Sequence, residues 1–222
     1  MKNMLFAAAL IAALIPMAAA QDVKISGQPL HVTITGQAGR HTVGDVEAPV
    51  GLKKIYSDLG SKTASYDNSN GWLILGPNSA FGQEQWVGYP FTPAKASTAT
   101  QIKAALGYFE SGTNGVNVAI YKDASGVPGK AMVNKSISNL PNYTDPCCDA
   151  LKTLKIKATK LARHKQYWVV VGTNKNQLDA EGVWFFATGD PTANQAYSFD
   201  GGASWATEQV QESAFGVFGT IP

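Results

Sequence analysis

The sequence is poor in the residues that carry most enzyme and metal chemistry. Its 222 residues include three histidines (His31, His41, His164), two arginines (Arg40, Arg163) and two cysteines. The histidines are scattered, and no C-x-x-C pair or histidine cluster supplies a usual zinc arrangement. No G-x-S-x-G elbow is present for an activated serine, and no D-x-D-x-D-G loop for calcium. Charge of one sign is also missing. Eighteen basic and 16 acidic residues leave a formal net charge of +2, so no overall field draws the chain to nucleic acid or to a membrane. There is no fixed-period repeat and no low-complexity tract, which argues against a propeller or solenoid.

Long apolar runs are confined to the start. Lys2 is followed by an apolar run from Met4 to Met17 and then Ala18-Ala19-Ala20 before Gln21. A basic start, a short apolar segment and an A-x-A ending describe a secretory signal peptide; a spanning helix needs roughly 20 apolar residues. The expected layout is a signal peptide over 1–20, an N-terminal strand with an irregular extension over 21–52, and a β-sandwich domain over 53–222. The expected location is outside the cytoplasm, extracellular or periplasmic, with no membrane span after cleavage.

The cysteines that are present, Cys147 and Cys148, are adjacent, in "TDPCCDA". A bridge between neighbours closes a strained ring, although an oxidising compartment permits it. Two free thiols and a bridge between chains are the alternatives.

Past the leader, strand signals dominate. The runs are "LHVTITG" (30–36), "GWLILGP" (71–77), "QWVGYPFTP" (85–93), "TQIKAALGYFE" (100–110) and "GVNVAIYKD" (115–123). "KTLKIKA" from 152, "QYWVVVGT" (166–173), "GVWFFAT" (182–188) and "SAFGVFGT" from 213 complete the set. Short runs bounded by Gly, Asn, Asp and Pro read as an all-β fold, a single antiparallel β-sandwich of jelly-roll-like form. Pro90 marks its run as an edge or a break. The segment 37–66 reads as the least regular part. In "LKTLKIKATKLARHK" (151–165), alternation puts Leu154 and Ile156 on one face and Lys155 and Lys157 on the other. That is a half-buried strand with a solvated lysine face, or else a patch for an anionic ligand.

From about residue 53 the chain resembles the bacterial extracellular choice-of-anchor β-sandwich domains. The resemblance is carried by "KIYSDLG", "QWVGYPFTPAKAST", "GVNVAIYKDASGVPGKAM", "ATKLARHKQYWVVVG", "VWFFAT", "YSFDGGASW" and "AFGVFG", in that order. It implies an exported, non-catalytic module. Family members often end in a sorting tail, whereas this sequence ends at Gly219-Thr220-Ile221-Pro222.

"SFDGGASW" also matches the Asp box, with Ser198, Asp200, Gly202 and Trp205 in the S-x-D-x-G-x-x-W positions. The Asp caps backbone amides at a hairpin turn, the glycines take backbone angles that other residues resist, and the Trp packs beneath. None of those roles is catalytic. Sialidases repeat the box around a propeller and use an arginine triad, which this chain's two arginines do not provide.

The expected function is therefore a non-catalytic module, either adhesive or structural or else glycan-binding. Its partner would be a polysaccharide or a cell-surface or matrix protein, and not nucleic acid. Of the five tryptophans, Trp72 and Trp86 flank the polar stretch "GPNSAFGQEQ" and are the candidates for stacking on a sugar ring, with Tyr89, Tyr143 and Tyr197 assisting. Packing in the core or hairpin is the competing reading for all of them. Calcium is a candidate ion, held by Asp123 and Ser125, or by Asp179 with Glu181. The rival class is a glycan-directed hydrolase using a carboxylate pair drawn from Glu84, Glu110, Asp123, Asp179, Glu181, Asp190, Glu208 and Glu212.

Overall fold

A computed structural model describes residues 27–33, 46–61, 64–109, 111–144 and 150–222. The leader over 1–20, His41, Glu110 and the Cys147–Cys148 pair lie outside the described residues. Thirteen strands are described. They are β1 (His31–Thr33), β2 (Lys53–Ser57), β3 (Asp67–Leu75), β4 (Trp86–Phe91), β5 (Ser97–Tyr108), β6 (Gly115–Asp123) and β7 (Pro128–Ser138). After them come β8 (Leu151–Leu161), β9 (Tyr167–Gly172), β10 (Glu181–Phe186), β11 (Thr192–Ser198), β12 (Ala206–Gln211) and β13 (Phe215–Thr220). Among the described residues no helix is long and apolar enough to cross a membrane.

The strands form two antiparallel sheets packed face to face, an all-β sandwich. One has seven strands in the order β1-β3-β10-β5-β13-β2, with β8 also paired to β5; the other has six in the order β12-β11-β4-β9-β6-β7. Side chains alternate across a strand, so each strand sends every second residue into the space between the sheets. Ile74 and Trp72 of β3, Ile102 and Leu106 of β5, Val118 and Ile120 of β6, Val169 and Val171 of β9, and Trp184 of β10 meet there. Burying one such side chain is worth roughly 1.5–3 kcal/mol.

The seven-stranded sheet is buried on its other face too. Leu73, Leu75, Val183 and Phe185 point that way and pack with Leu30, Tyr66 and Tyr143. Burial on both faces explains why "GWLIL" and "VWFF" read as unbroken apolar runs rather than as alternating ones. The outer face of the six-stranded sheet carries a smaller cluster of Trp168, Val170 and Ala196, with Trp86, Tyr121 and Trp205 packed on it. That face positions the candidate site.

One sequence reading changes and another resolves. Pro90 sits in β4, which lies between β11 and β9 rather than at a sheet edge, and it marks the break that was the alternative: pairing with β11 stops at Gly88. It is tolerated because β11 pairs with β4 only at Trp86, Val87 and Gly88, leaving Pro90 paired on one side alone, with Trp168. The region 37–66 contains β2, which adds to β13 through Tyr56↔Val217.

Candidate functional site

The Asp-box residues form the tip of the β11–β12 hairpin, whose last pair is Tyr197↔Ala206. Gly201 and Gly202 both take left-handed backbone angles, φ 68° and 83°, which glycine adopts without steric cost. The Ser198 hydroxyl donates to Asp200 Oδ1 at 2.7 Å and accepts from the Gly202 N–H at 2.9 Å. The Ser204 N–H donates to Asp200 Oδ1 at 2.9 Å, and the Ser204 hydroxyl donates to Oδ2. These bonds stabilise the ionised carboxylate and lower its pKa to about 2, the Ser204 hydroxyl contributing most. Asp200 is therefore committed to holding the turn.

Trp86 supports the hairpin from below. Its indole N–H donates to Thr173 Oγ1 at 3.2 Å. Gly172 and Gly202 both border the ring so closely that a Cβ would lie 2.4 Å and 3.1 Å from it. Trp205 lies beside Gly202 and meets Tyr121 edge-on at 6.4 Å between ring centroids. Trp205 Nε1 is buried with no hydrogen-bond partner.

On the hairpin's flank is a shallow depression of about 220 Å³, lined by Tyr197, Phe199, Ser204, Trp205 and neighbouring backbone. The Tyr197 and Phe199 rings are 5.4 Å apart and both half-exposed. Aromatic faces with a hydroxyl alongside are the groups that contact sugar rings. The sequence signal for this rim was "YSF", immediately before the capping Asp.

The other aromatic candidates are placed elsewhere. Trp72 is 7% exposed in the inter-sheet core, with its indole N–H 2.7 Å from the Tyr89 hydroxyl. Tyr89 is fully buried and donates to the Gln211 carbonyl at 2.6 Å. Trp72 and Tyr89 alternate inward from their strands, so neither can stack on a ligand. Tyr143 is buried on the far side of the seven-stranded sheet, its ring stacked 4.5 Å from Phe109. Trp86, half-buried under the hairpin, is a support and not a free platform.

The calcium candidates fare similarly. Asp123 Oδ1 accepts from Gln166 Nε2 and Trp168 Nε1, each at 2.8 Å, and Oδ2 accepts from the Gly126 N–H at 3.2 Å. Ser125 and Gly126 have φ 58° and 89°, both left-handed, as in a two-residue hairpin turn. Asp123 and Ser125 therefore build a turn. Glu181 is buried and accepts from the Ala80 N–H at 2.8 Å and the Ser111 hydroxyl at 2.9 Å, while Asp179 is held by Thr113 at 2.6 Å. Among the described residues no group of three or more His, Cys, Asp or Glu stands ready for a metal ion.

Two carboxylate pairs bear on the hydrolase reading. Asp58 and Glu212 interact inside the fold, with Asp58 Oδ1 accepting from the Phe215 N–H at 2.6 Å and Glu212 Oε1 from the Tyr56 hydroxyl at 2.8 Å. Burial raises both carboxyls, and the Glu212 charge raises Asp58 further. The two carboxyls interact with each other, and each is engaged by a neighbour within the fold. Sequence reading did not single out Asp58, because nothing local marks a carboxylate that turns inward. At the surface, Glu84 borders Gly201 and is raised by partial burial, with the Asp200 charge adding to it. Asp200 itself is lowered, and both of its oxygens are engaged in the turn.

Comparison with known proteins leaves this geometry as the main guide: no protein-family model matches the chain, and no curated protein matches it.

Proposed function

We propose that the chain is an exported, non-catalytic β-sandwich module that binds glycan through the rim of its Asp-box hairpin. The observation that carries this reading is the half-exposed Tyr197–Phe199 pair beside Ser204 and the unpaired Trp205 indole N–H. An unsatisfied buried donor costs about 1–3 kcal/mol. Trp205 lines the same depression, and a small shift of its ring that opens the N–H to a sugar hydroxyl would relieve that cost. The hairpin is rigidly capped from within, so the rim is held in place without help from a ligand. The signal-like start of the sequence and the resemblance to choice-of-anchor domains support export, to the cell surface or periplasm. On this reading its role is adhesion to a surface or matrix glycan.

A glycan hydrolase is the second reading, favoured by Glu84, a carboxyl raised by partial burial that borders Gly201 at the hairpin tip. Two assays on one set of polysaccharides separate the two. Retention without release of reducing ends supports the binding module. Release that is lost in Glu84→Gln supports the hydrolase.

A further inference from the structure

The side of the sandwich made by β7 and β8 carries charge of one sign. Between Ala124 and Thr144, and again between Ala150 and Leu178, there is no Asp or Glu, while nine of the chain's 18 basic residues fall there. β7 is the last strand of its sheet and β8 lies beside β5, and the two pack against each other where the sheets meet. Met132 and Ile137 of β7 and Leu154 and Ile156 of β8 turn to the core. Lys130, Lys135, Lys155, Lys157 and Lys160 are exposed. Lys155 and Lys157 flank Ile156 where the register with β5 shifts, and Lys160 follows just beyond the shift, so positive charge recurs along the strand. Among the described residues no carboxylate forms an ion pair with any of these lysines.

A groove of about 320 Å³ lies where β6 ends and β9 begins, beside the turn that follows β8, lined by Lys122, Asp123, Lys165, Gln166 and Tyr167. Asp123 is turned to the Trp168 indole, the Gln166 amide and the Gly126 N–H, and two lysines against this one carboxylate leave the groove's lining net positive. Arg163 and His164 are exposed in the turn between β8 and β9, which delivers Lys165 to the groove.

One or two lysines suffice to protect an edge strand from pairing with another chain. A one-sign wall running on into a groove repels itself and costs stability, which edge protection does not require. We infer that the β7–β8 wall and the Lys122–Lys165 groove bind an acidic polysaccharide, a chain bearing carboxylate or sulfate groups. Lysine point charges on flexible stems suit regularly spaced anions on a flexible chain. Apart from Tyr167, which is largely buried, the wall and groove present no aromatic ring for bases to stack on, and this favours an acidic glycan over a single-stranded nucleic acid. This surface is separate from the hairpin rim, and the inference does not rest on the rim's role.

The test is affinity electrophoresis and titration of the mature chain with polygalacturonate, chondroitin sulfate and neutral dextran at low and high salt. Duplex DNA and phosphatidylglycerol vesicles are run alongside. The expected result is binding to one or both acidic polysaccharides and not to dextran, weakening steeply with salt as screening sets in. Lys122→Gln with Lys165→Gln, and separately Lys155→Gln with Lys157→Gln, should each weaken binding about tenfold. Arginine at the same positions should preserve it, and thermal melting should confirm that each variant is folded. Lys53→Gln with Lys54→Gln, exposed on β2 at the end of the seven-stranded sheet, should leave it unchanged. The inference is overturned by no binding, by binding insensitive to the lysine changes, or by DNA or vesicles binding as tightly through the same lysines. Binding abolished only by Tyr197→Ala with Phe199→Ala would also overturn it, while leaving the hairpin reading intact.

Discussion

The indole of Trp86 rests on the backbone of Gly172, with no room for a side chain between them: a Cβ on Gly172 would lie 2.4 Å from the ring. The same indole borders Gly202 at the hairpin tip, so one side chain links the sheet to the Asp-box turn. Gly172→Ala should displace the ring and cost about 1–3 kcal/mol by overpacking. Denaturant unfolding and tryptophan fluorescence check this; an unchanged midpoint with an unshifted spectrum would contradict the packing.

Trp72 is a core residue by the same kind of geometry. Trp72→Ala should cost about 3–5 kcal/mol. Trp72→Phe should cost less, losing the indole N–H beside the Tyr89 hydroxyl, and should leave glycan retention at the wild-type level. A retention defect in a folded Trp72→Phe protein would return this residue to the list of ligand contacts.

The hairpin should report acid through Asp200. Its folded pKa is depressed from 3.8 to about 2, so its contribution is present above about pH 4 and is lost as pH falls through about 2. Asp200→Asn lacks this charge. The stability gap between wild type and the variant should therefore close between pH 4 and pH 2, as followed by denaturant titration across that range.

Asp58 and Glu212 should work in the opposite direction. Both folded pKa values are raised by burial, so their contribution is present below about pH 4 and declines as pH rises through the folded values. Asp58 Oδ2 is buried with no donor, whereas an amide there can donate to Glu212. Asp58→Asn should gain stability relative to wild type as pH is raised from 4 to 8. Asp58→Ala, which also strips the Phe215 N–H of its acceptor, should lose stability at every pH. A pH-independent difference for Asp58→Asn would mean that the pair does not titrate together.

Strand existence was legible in the sequence, because Gly, Asn and Pro punctuate short apolar runs and the run "GVNVAIYKD" coincides with β6 from Gly115 to Asp123. β7 was harder to see. Its run "KAMVNKSIS" lies at a sheet edge and exposes most of its length, so no apolar face announces it. The hairpin was legible because its capping residues are local, Ser198, Asp200 and Gly202 bonding within the turn. The burial of Trp72 and Tyr89 was hidden for the opposite reason, whereas Tyr197 stays at the surface. Trp72 and Tyr89 meet from different strands across the core, and which way each points depends on strand register, which a single sequence does not reveal. The acid pair of Asp58 and Glu212, 154 residues apart in the chain, is hidden for the same cause.

The central claim is that the Tyr197–Phe199 rim of the Asp-box hairpin is the glycan contact. The most direct measurement is saturation-transfer NMR of uncharged oligosaccharides chosen from the neutral polysaccharides that retain the wild-type protein, recorded on wild type and on Tyr197→Ala with Phe199→Ala. Both side chains are half-exposed, so the double variant should fold with little loss of stability. Saturation transfer to the sugar ring protons in wild type, lost in the folded double variant, is the predicted result. Equal transfer in both proteins, or no retention of wild type by any neutral polysaccharide in the set, would contradict it.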